Sequence, residues 1–174
     1  MPSIFDTNLY SAGTTYTKNA VVKYNVDGLF YYSLQNGNVG NTPGINSAFW
    51  GGRDLDPISN QNKPNFIWRS SYGSSAEINP KTVITQFGDG YSQRMKDGDN
   101  NQLMSLSLNF NGRGLDEAAA ILHFLYNRQG VEYFLFTPPP PFNKKKRFIC
   151  RNIPTNFNFY QNNDIKVLFE EVAV

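Results

Sequence analysis

A short run near the middle of the chain, from Phe87 to Arg94, constrains the fold more than any other feature. It reads Phe-Gly-Asp-Gly-Tyr-Ser-Gln-Arg. Glycine adopts positive φ at little cost and aspartate tolerates left-handed geometry, so we expect a tight turn with positive φ at both Gly88 and Gly90. Aromatic residues flank the turn, and the apolar pair Val83-Ile84 precedes it. This pattern predicts a hairpin of two β-strands.

The composition is typical of a β-rich protein that devotes much of its surface to contacts with other proteins. Aromatic residues make up 15% of the 174 residues and charged residues only 17%. The formal net charge is +2, so the composition does not require nucleic acid or an anionic membrane as a partner. The sequence has no apolar run of membrane-spanning length and no secretory signal at its N-terminus. We therefore expect that the chain folds in a cytoplasm and does not insert into a membrane.

Residues 1–52 form one compositional unit. The apolar pair Val21-Val22 and the run Leu29–Tyr32 lie on either side of Asp27-Gly28, which predicts a β-hairpin closed by that dipeptide. A turn-rich stretch follows the hairpin. We therefore assign this unit to a small β domain.

A polar segment separates this unit from the rest of the chain. From Gly51 to Pro64 the sequence contains turn-forming residues and few apolar ones, which is typical of a linker. We assign residues 53–64 to the linker and residues 65–174 to a second domain. Few contacts are expected to cross such a boundary.

The second domain combines strand patterns with one helical pattern. Residues 103–110 alternate between apolar and polar side chains, as a half-buried strand does. One apolar helix face is then predicted, made by Leu115, Ala118, Ala119, Leu122 and Leu125. Further strands are predicted at 133–136, 148–150, 156–160 and 165–172. Strands, one helix and then more strands indicate a mainly β or α+β fold rather than an alternating α/β fold.

Residues that could support catalysis or bind a metal are few and isolated. His123 is the only histidine, and it lies on the predicted helix without a nucleophile partner, which favours a surface or capping role. Asp89, Asp97 and Asp99 stand beside glycines, where turns favour aspartate. The single cysteine, Cys150, excludes an intramolecular disulfide and is expected to pack as a small apolar residue. We predict that the chain is not an enzyme and uses no cofactor or metal.

The basic run Lys144–Arg147 is the strongest electrostatic feature of the sequence. It could be a solvated loop tip that protects the adjacent strand from edge pairing. It could equally contact an acidic neighbouring subunit. DNA is a weaker third alternative, because no wider basic surface extends the run, and we expect no sequence-specific binding of nucleic acid.

The chain from Phe66 to Val174 resembles the minor tail protein M family of long-tailed phages over nearly its whole length. The central motif of this resemblance consists of Phe87, Gly88, Asp89, Gly90, Tyr91 and Arg94. The other matching positions are an aromatic pair, a late helical aromatic, a stop glycine, an aromatic strand that runs into prolines, a cysteine and a C-terminal strand, found at Phe66, Trp68, Phe124, Gly130, Phe134–Pro139, Cys150 and Phe169–Val172. A tryptophan that the family has after the cysteine is absent, with Ile153 in that neighbourhood, and the proline run is longer than usual.

The resemblance implies a distal tail protein in the virion tail tip, made in the host cytoplasm. It implies a β-sandwich with one flanking helix, related to the tail tube fold. It further implies a homo-oligomeric ring, expected to be a hexamer, that joins the tail tube protein to the tail-tip hub protein.

The first fifty residues resemble the small chitin-binding-type carbohydrate modules that are appended to chitinases. The order of Tyr16, Val22, Tyr24, Gly28, Tyr31, Pro43 and Trp50 carries this resemblance. In such a module Leu29, Tyr31 and Ser33 would pack the core, while Phe30, Tyr32 and Leu34 would lie opposite. The aromatic rings available to stack on a host surface glycan would then be Phe30, Tyr32 and Trp50. The tandem aromatic that usually supplies this platform is missing after the second strand.

Three functions are consistent with the sequence. The leading interpretation is a structural ring subunit of the tail tip, with the N-terminal domain as a separately folded decoration on the outside of the ring. The alternatives are a free carbohydrate-binding protein and an accessory module of a glycan hydrolase. The hydrolase would need a catalytic acid in a cleft, and residues 66–174 offer only aspartates in turns.

Overall fold

The computed structural model describes residues 7–159 and 162–173. In chain order its strands are β1 (Val21–Lys23), β2 (Phe30–Ser33), β3 (Trp50–Gly51), β4 (Arg53–Leu55), β5 (Asn62–Pro64), β6 (Ser75–Ile78), β7 (Thr82–Gln86), β8 (Ser92–Lys96), β9 (Met104–Arg113), β10 (Phe134–Phe136), β11 (Lys146–Cys150), β12 (Thr155–Phe159) and β13 (Asn162–Glu171). Helix α1 (Leu115–Asn127) lies between β9 and β10. The predicted mainly β class with one helix is confirmed.

The body of the molecule is a six-stranded antiparallel sheet in the order β10-β11-β13-β9-β6, with β12 paired to β13. The long strand β9 alternates as its sequence predicts: Met104, Leu106, Leu108 and Phe110 are buried, and the side chains between them are partly exposed. The buried face of this sheet packs against α1 and against the segment Phe66–Trp68. The facing layer is therefore a helix and an extended segment.

Helix α1 is buried on more sides than its sequence predicts. Leu115, expected on the buried face, is 54% exposed, whereas Ala120, Ile121 and Phe124 are fully buried. His123 is buried as well. The reason is that α1 lies between two layers, because the ring of Phe30 from β2 packs on the imidazole of His123 at 4.9 Å between ring centres. An amphipathic pattern assumes one wet side, which this helix largely lacks.

The N-terminal strands β1, β2 and β3 form a separate three-stranded antiparallel sheet, and the predicted hairpin at Asp27-Gly28 is confirmed. On one face of the sheet, Val22 and Tyr31 pack with Tyr16 and Trp50 in a small aromatic core. On the other face, Tyr32 belongs to the main core. Both faces are therefore covered, and the expectation of few contacts between residues 1–52 and the rest of the chain is wrong.

The segment predicted to be a linker is an ordered hairpin instead, formed by β4 and β5. Its turn is built by Asp56, which is fully buried and accepts hydrogen bonds from the Ile58 amide at 3.0 Å and the Ser59 hydroxyl at 2.7 Å. A buried carboxylate requires partners of this kind. The residues that resemble a flexible linker therefore form an ordered turn, in which the buried carboxylate has hydrogen-bond partners.

Over residues 7–159 and 162–173, no helix is both long and apolar enough to cross a membrane.

Candidate assembly surfaces

The hairpin predicted from the central motif is present and stands as a two-stranded sheet of its own. Strands β7 and β8 pair from Thr82 with Lys96 to Gln86 with Ser92, and the Phe87 amide continues the ladder to the carbonyl of Tyr91 at 2.8 Å. Every residue of both strands is exposed. We call residues 81–97 the arm.

The turn of the arm differs in one respect from its prediction. Asp89 has φ 63° and Gly90 has φ 78°, both in the left-handed region. The backbone of Gly88 lies outside that region, so the expectation of positive φ at both glycines is wrong for Gly88. Aspartate takes the left-handed position because its short polar side chain tolerates it.

One face of the arm carries four apolar side chains, with the polar pair Thr85–Gln93 between them. Val83 is paired with Met95, and the rings of Phe87 and Tyr91 lie 5.8 Å apart between centres at the tip. Side chains two residues apart along a strand share a face, so these four lie on the same side of the arm. Their exposed fractions run from 43% for Val83 to 67% for Tyr91. Arg94, the last motif residue, is paired with Ile84 on the opposite face.

A hairpin of two strands is marginally stable in water on its own. The arm therefore combines exposed apolar side chains with two strand edges that pair with no further strand of the described residues, which are features of a segment that binds another protein.

An open groove of about 1060 Å³ lies between residues 65–74 and the proline-rich loop that follows β10. The first wall is fixed at both ends, because the Phe66 amide donates to the Leu135 carbonyl at 2.8 Å and the Ser71 amide donates to the Asn109 carbonyl at 2.6 Å. Its lining is aromatic and proline-rich, with serines and one arginine: it includes Phe66, Trp68, Arg69, Ser70, Tyr72, Phe136, Pro138, Pro139 and Pro140.

The sequence alone did not reveal the groove, because its two walls are far apart along the chain. Tyr72, which is fully exposed on the groove lining, is the most informative residue that was missed. A lone aromatic residue within the serine- and glycine-rich stretch 70–75 was the available signal.

The three aromatic residues predicted to stack on a glycan are mostly inside the protein. Tyr32 and Trp50 are 1% and 4% exposed, and Phe30 is half-buried against His123. The Trp50 indole donates a hydrogen bond to the Asn41 carbonyl at 2.7 Å, which fixes it in the small aromatic core. A sugar needs an open ring face, so the burial of Tyr32 and Trp50 contradicts a stacking role for these two side chains.

His123 anchors the N-terminal unit to α1. Its Nε2 lies 2.6 Å from the Thr7 hydroxyl, and its Nδ1 lies 3.0 Å from the side-chain amide of Asn127. Burial, assisted by the nearby charge of Arg128, lowers the pKa of His123 to about 4. The imidazole is therefore neutral near pH 7 and serves as a packing and hydrogen-bonding group, in place of the expected surface or capping role.

The basic run at 144–147 meets acidic partners within the same chain. Lys145 pairs with Asp54, Lys146 pairs with Glu171, and Arg147 pairs with Asp56. These ion pairs join the hairpin β4–β5 and the end of β13 to the β11 region. Three of the four charges are thus engaged in holding the fold together, whereas the sequence had indicated a solvated loop or an intermolecular contact.

Asp56 has the most strongly perturbed carboxyl group of this network. Burial by itself would raise its pKa, but hydrogen bonds from Ser59, the Ile58 amide, Arg147 and Tyr133 outweigh burial and hold the pKa well below its usual range. The Arg147 guanidinium lies 2.7 Å from the carboxylate and 4.9 Å from the ring centre of Tyr133. The charge on Asp56 is therefore maintained inside the protein.

The part of the chain that the structure describes holds no cluster of three or more histidine, cysteine, aspartate or glutamate side chains suited to a metal ion. Cys150 is buried, and burial raises the pKa of its thiol to about 11. A thiol of this kind is inert as a nucleophile. The exposed turn residues Asp89, Asp97 and Asp99 are solvated parts of the arm and of its base.

Comparisons with known proteins give a consistent assignment. A family model described as phage minor tail protein matches residues 64–173. The tail tip protein M of Escherichia phage lambda is 35% identical over 74 residues, which represent 42% of this chain and 67% of that protein.

Two similar solved structures belong to gene transfer agent (GTA) particles. A chain from the virion of a native GTA particle has a TM-score of 0.48 and 20% identity, covering 63% of this chain and 96% of its own. A chain from the tail of an empty GTA particle, determined with C6 symmetry, has a TM-score of 0.44 and 13% identity, covering 67% of this chain and 85% of its own.

The match to the family model covers more than half of the chain and includes the arm, the groove, α1 and the whole six-stranded sheet. It therefore confirms the family resemblance inferred from the central motif and the C-terminal strands. The protein is a structural component of a virion tail, and the chain belongs to the phage minor tail protein family.

Proposed function

We propose that this chain is a ring subunit of the tail tip, which assembles with copies of itself and joins the tail tube to the tail-tip hub. The arm is the observation that carries the proposal. It presents Val83, Phe87, Tyr91 and Met95 to solvent on a hairpin that has little stability of its own. A partner protein that covers this face would stabilise both the arm and the contact.

One arm per chain is sufficient to build a ring, because the same contact repeats between each pair of neighbouring copies. If the arm of each copy binds a different surface of the next copy, the contact is head-to-tail, and head-to-tail contacts form rings when the rotation closes. The expected sixfold number follows from the family resemblance. The tube and the hub would occupy the two faces of the ring.

The carbohydrate-binding alternative receives no support from the burial of Tyr32 and Trp50. The proposed function therefore contains no glycan contact. The N-terminal unit is instead a fixed part of each subunit, which we place on the circumference, because a ring that joins a tube to a hub needs its lumen and both faces free.

The number of copies in a tail tests the proposal. Native mass spectrometry of the purified chain alone, at high concentration, should show a closed ring of several copies. Electron microscopy of the chain together with the tube protein should show this ring stacked on the tube end. The variant Val131→Ser changes an exposed apolar residue outside the arm, so it should form the same rings as the wild type. A tail that contains a single copy of the chain at its periphery would overturn the proposal.

A further inference from the structure

We propose that the groove between residues 65–74 and the proline-rich loop is the receptor for the arm of a second copy of this chain. The inference rests on the proposed ring and names the two surfaces that would form each contact. It concerns the contact between neighbouring copies and leaves the faces for the tube and the hub aside.

The arm and the groove are separate surfaces of one molecule. Among the described residues, those that line the groove include none of the arm residues 81–97. The arm therefore does not line the groove of its own chain. Since every copy carries one arm and one groove, an arm in the groove of a neighbour leaves one free site at each end, which is the arrangement that a ring requires.

The chemistry of the two surfaces is complementary. The groove offers the exposed side chains of Tyr72, Pro139 and Pro140, and the tip of the arm offers the rings of Phe87 and Tyr91. Offset and edge-to-face contacts between such groups are favourable beyond the area they bury. Tyr72 is fully exposed on the groove lining and is of the residue type that most often dominates the energy of an interface.

The groove is large enough to receive the tip of a hairpin. Its volume of about 1060 Å³ is at the upper limit of small-molecule sites, which run from roughly 300 to 1,000 Å³. Sixteen residues line it. This number is a large share of the roughly 20–30 residues that each partner contributes to a stable protein interface.

A pair of opposite charges would fix the orientation of the arm in the groove. Arg69 is the charged residue of the groove lining, and it is exposed. Asp89 stands exposed at the tip of the arm, between the two aromatic rings. With Phe87 and Tyr91 against Tyr72 and the exposed prolines, the carboxylate of Asp89 would lie beside the guanidinium of Arg69. Paired charges of this kind fix the register of an interface.

Covalent trapping tests the contact in assembled tails, or in rings formed by the purified full chain. A variant with Arg69→Cys and Asp89→Cys is treated with a short bis-maleimide reagent. We expect a ladder of crosslinked products above the dimer on a denaturing gel, because each copy is linked to two neighbours. The native Cys150 is buried, with the pKa of its thiol raised to about 11, so it should not react.

Matched controls distinguish this contact from chance proximity. Each single cysteine variant should give at most a dimer, and a pair of Asp89→Cys with Val131→Cys should give no ladder. Multi-copy tails in which the Arg69–Asp89 pair gives no ladder would overturn the groove assignment and leave the proposed ring intact. Single-copy tails would overturn both.

Charge reversal provides a second, independent readout. Asp89→Arg and Arg69→Asp should each weaken self-association at least about tenfold, because each places like charges together. The double variant restores the pair with reversed sign and should recover to within about threefold of the wild type, as coupled residues do in a double-mutant cycle. Two additive losses without recovery would contradict the contact. Arg69 is exposed, so thermal melts of Arg69→Asp should match the wild type. Asp89 lies at φ 63°, so hydrogen exchange of residues 81–97 in each Asp89 variant checks that the arm stays folded.

Discussion

At the tip of the arm, the left-handed backbone falls on Asp89 and Gly90, whereas Gly88 has ordinary geometry. The two glycines therefore serve different purposes. Gly90 supplies a conformation that most side chains resist, and Gly88 has open space around its Cα. The sequence indicated the turn correctly because both glycines can adopt positive φ at little cost. It could not show which residues of the turn do so, since aspartate also tolerates that conformation.

Valine substitutions should separate the two glycines. Gly90→Val places a β-branched residue at φ 78° and should cost roughly 1–3 kcal/mol, enough to melt a hairpin with little stability of its own. Gly88→Val should leave the arm folded, and Asp89→Asn should be nearly silent for the turn because Asn also tolerates left-handed geometry. Hydrogen exchange of residues 81–97 measures the effect. Equal loss of protection in both valine variants would contradict this assignment.

The buried imidazole of His123 should make stability depend on pH. Its pKa is lowered to about 4 in the folded protein, against an ordinary value of about 6.5 in the unfolded chain. Between these values the unfolded state binds the proton and the folded state does not, so stability is greatest above pH 6.5 and falls as the pH decreases towards 4. Arg128 is the nearby charge that reinforces this effect.

Thermal melts of the wild type and of His123→Gln, recorded between pH 7.5 and 4.5, check this dependence. The variant should lose a large part of the decrease in melting temperature over that range. The carboxyl of Asp56 does not complicate the comparison, since its lowered pKa affects stability only below its ordinary range near 4. A decrease of the same size in both proteins would show that other groups are responsible.

Among the elements, the hairpin β4–β5 shows how distant partners decide local structure. Its residues have the composition of a linker, and what orders them is Arg147 and Tyr133, both far along the chain from Asp56. The elements that were predicted correctly, such as the hairpin β1–β2, strand β9 and the arm, carry their signal within a short window. The sequence offered no comparable local signal for β4–β5.

Removal of one partner from the buried ion pair between Asp56 and Arg147 should be strongly destabilising. Asp56→Asn leaves the buried guanidinium of Arg147 without its counter-charge, and breaking a buried pair in this way costs about 3–5 kcal/mol. Urea denaturation of the full chain measures the change. The double variant Asp56→Leu, Arg147→Met removes both charges and should be less destabilised than Asp56→Asn. A double variant at least as unstable as the single one would contradict the explanation.

On the scale of the whole molecule, the N-terminal unit is joined to the main core of the chain through buried aromatic side chains. The ring of Tyr32 lies 4.9 Å from that of Trp68 and 5.8 Å from that of Phe124, between ring centres. The sequence could show that residues 1–52 differ in composition from the rest. Its strand pattern could not show that both faces of β2 are covered, because the second covering layer is α1.

Deletion of residues 1–52 should therefore destabilise the body, rather than leave it intact as a detachable decoration would. Tyr32→Ala should reproduce part of the loss, by about 3–5 kcal/mol, the usual cost of removing a large aromatic side chain from a core. Tyr32→Phe is the matched control, because the buried Tyr32 hydroxyl has no hydrogen-bond partner in the part of the chain that the structure describes. Differential scanning calorimetry of the three variants measures the effect. A deletion variant that melts like the wild type would show two independent folding units.

The isolated position of the arm also has a consequence for the timing of tail assembly. A hairpin with little stability of its own spends part of its interaction energy on ordering when it binds, so a single contact between two free copies is weak. In a closed ring each copy holds two neighbours, and the local concentration of every arm near its receptor becomes high. At cellular concentrations newly made subunits would therefore stay largely apart, and rings would close where an initiating complex, or a high concentration of the purified chain, gathers several copies. Ring formation is thereby coupled to tail growth.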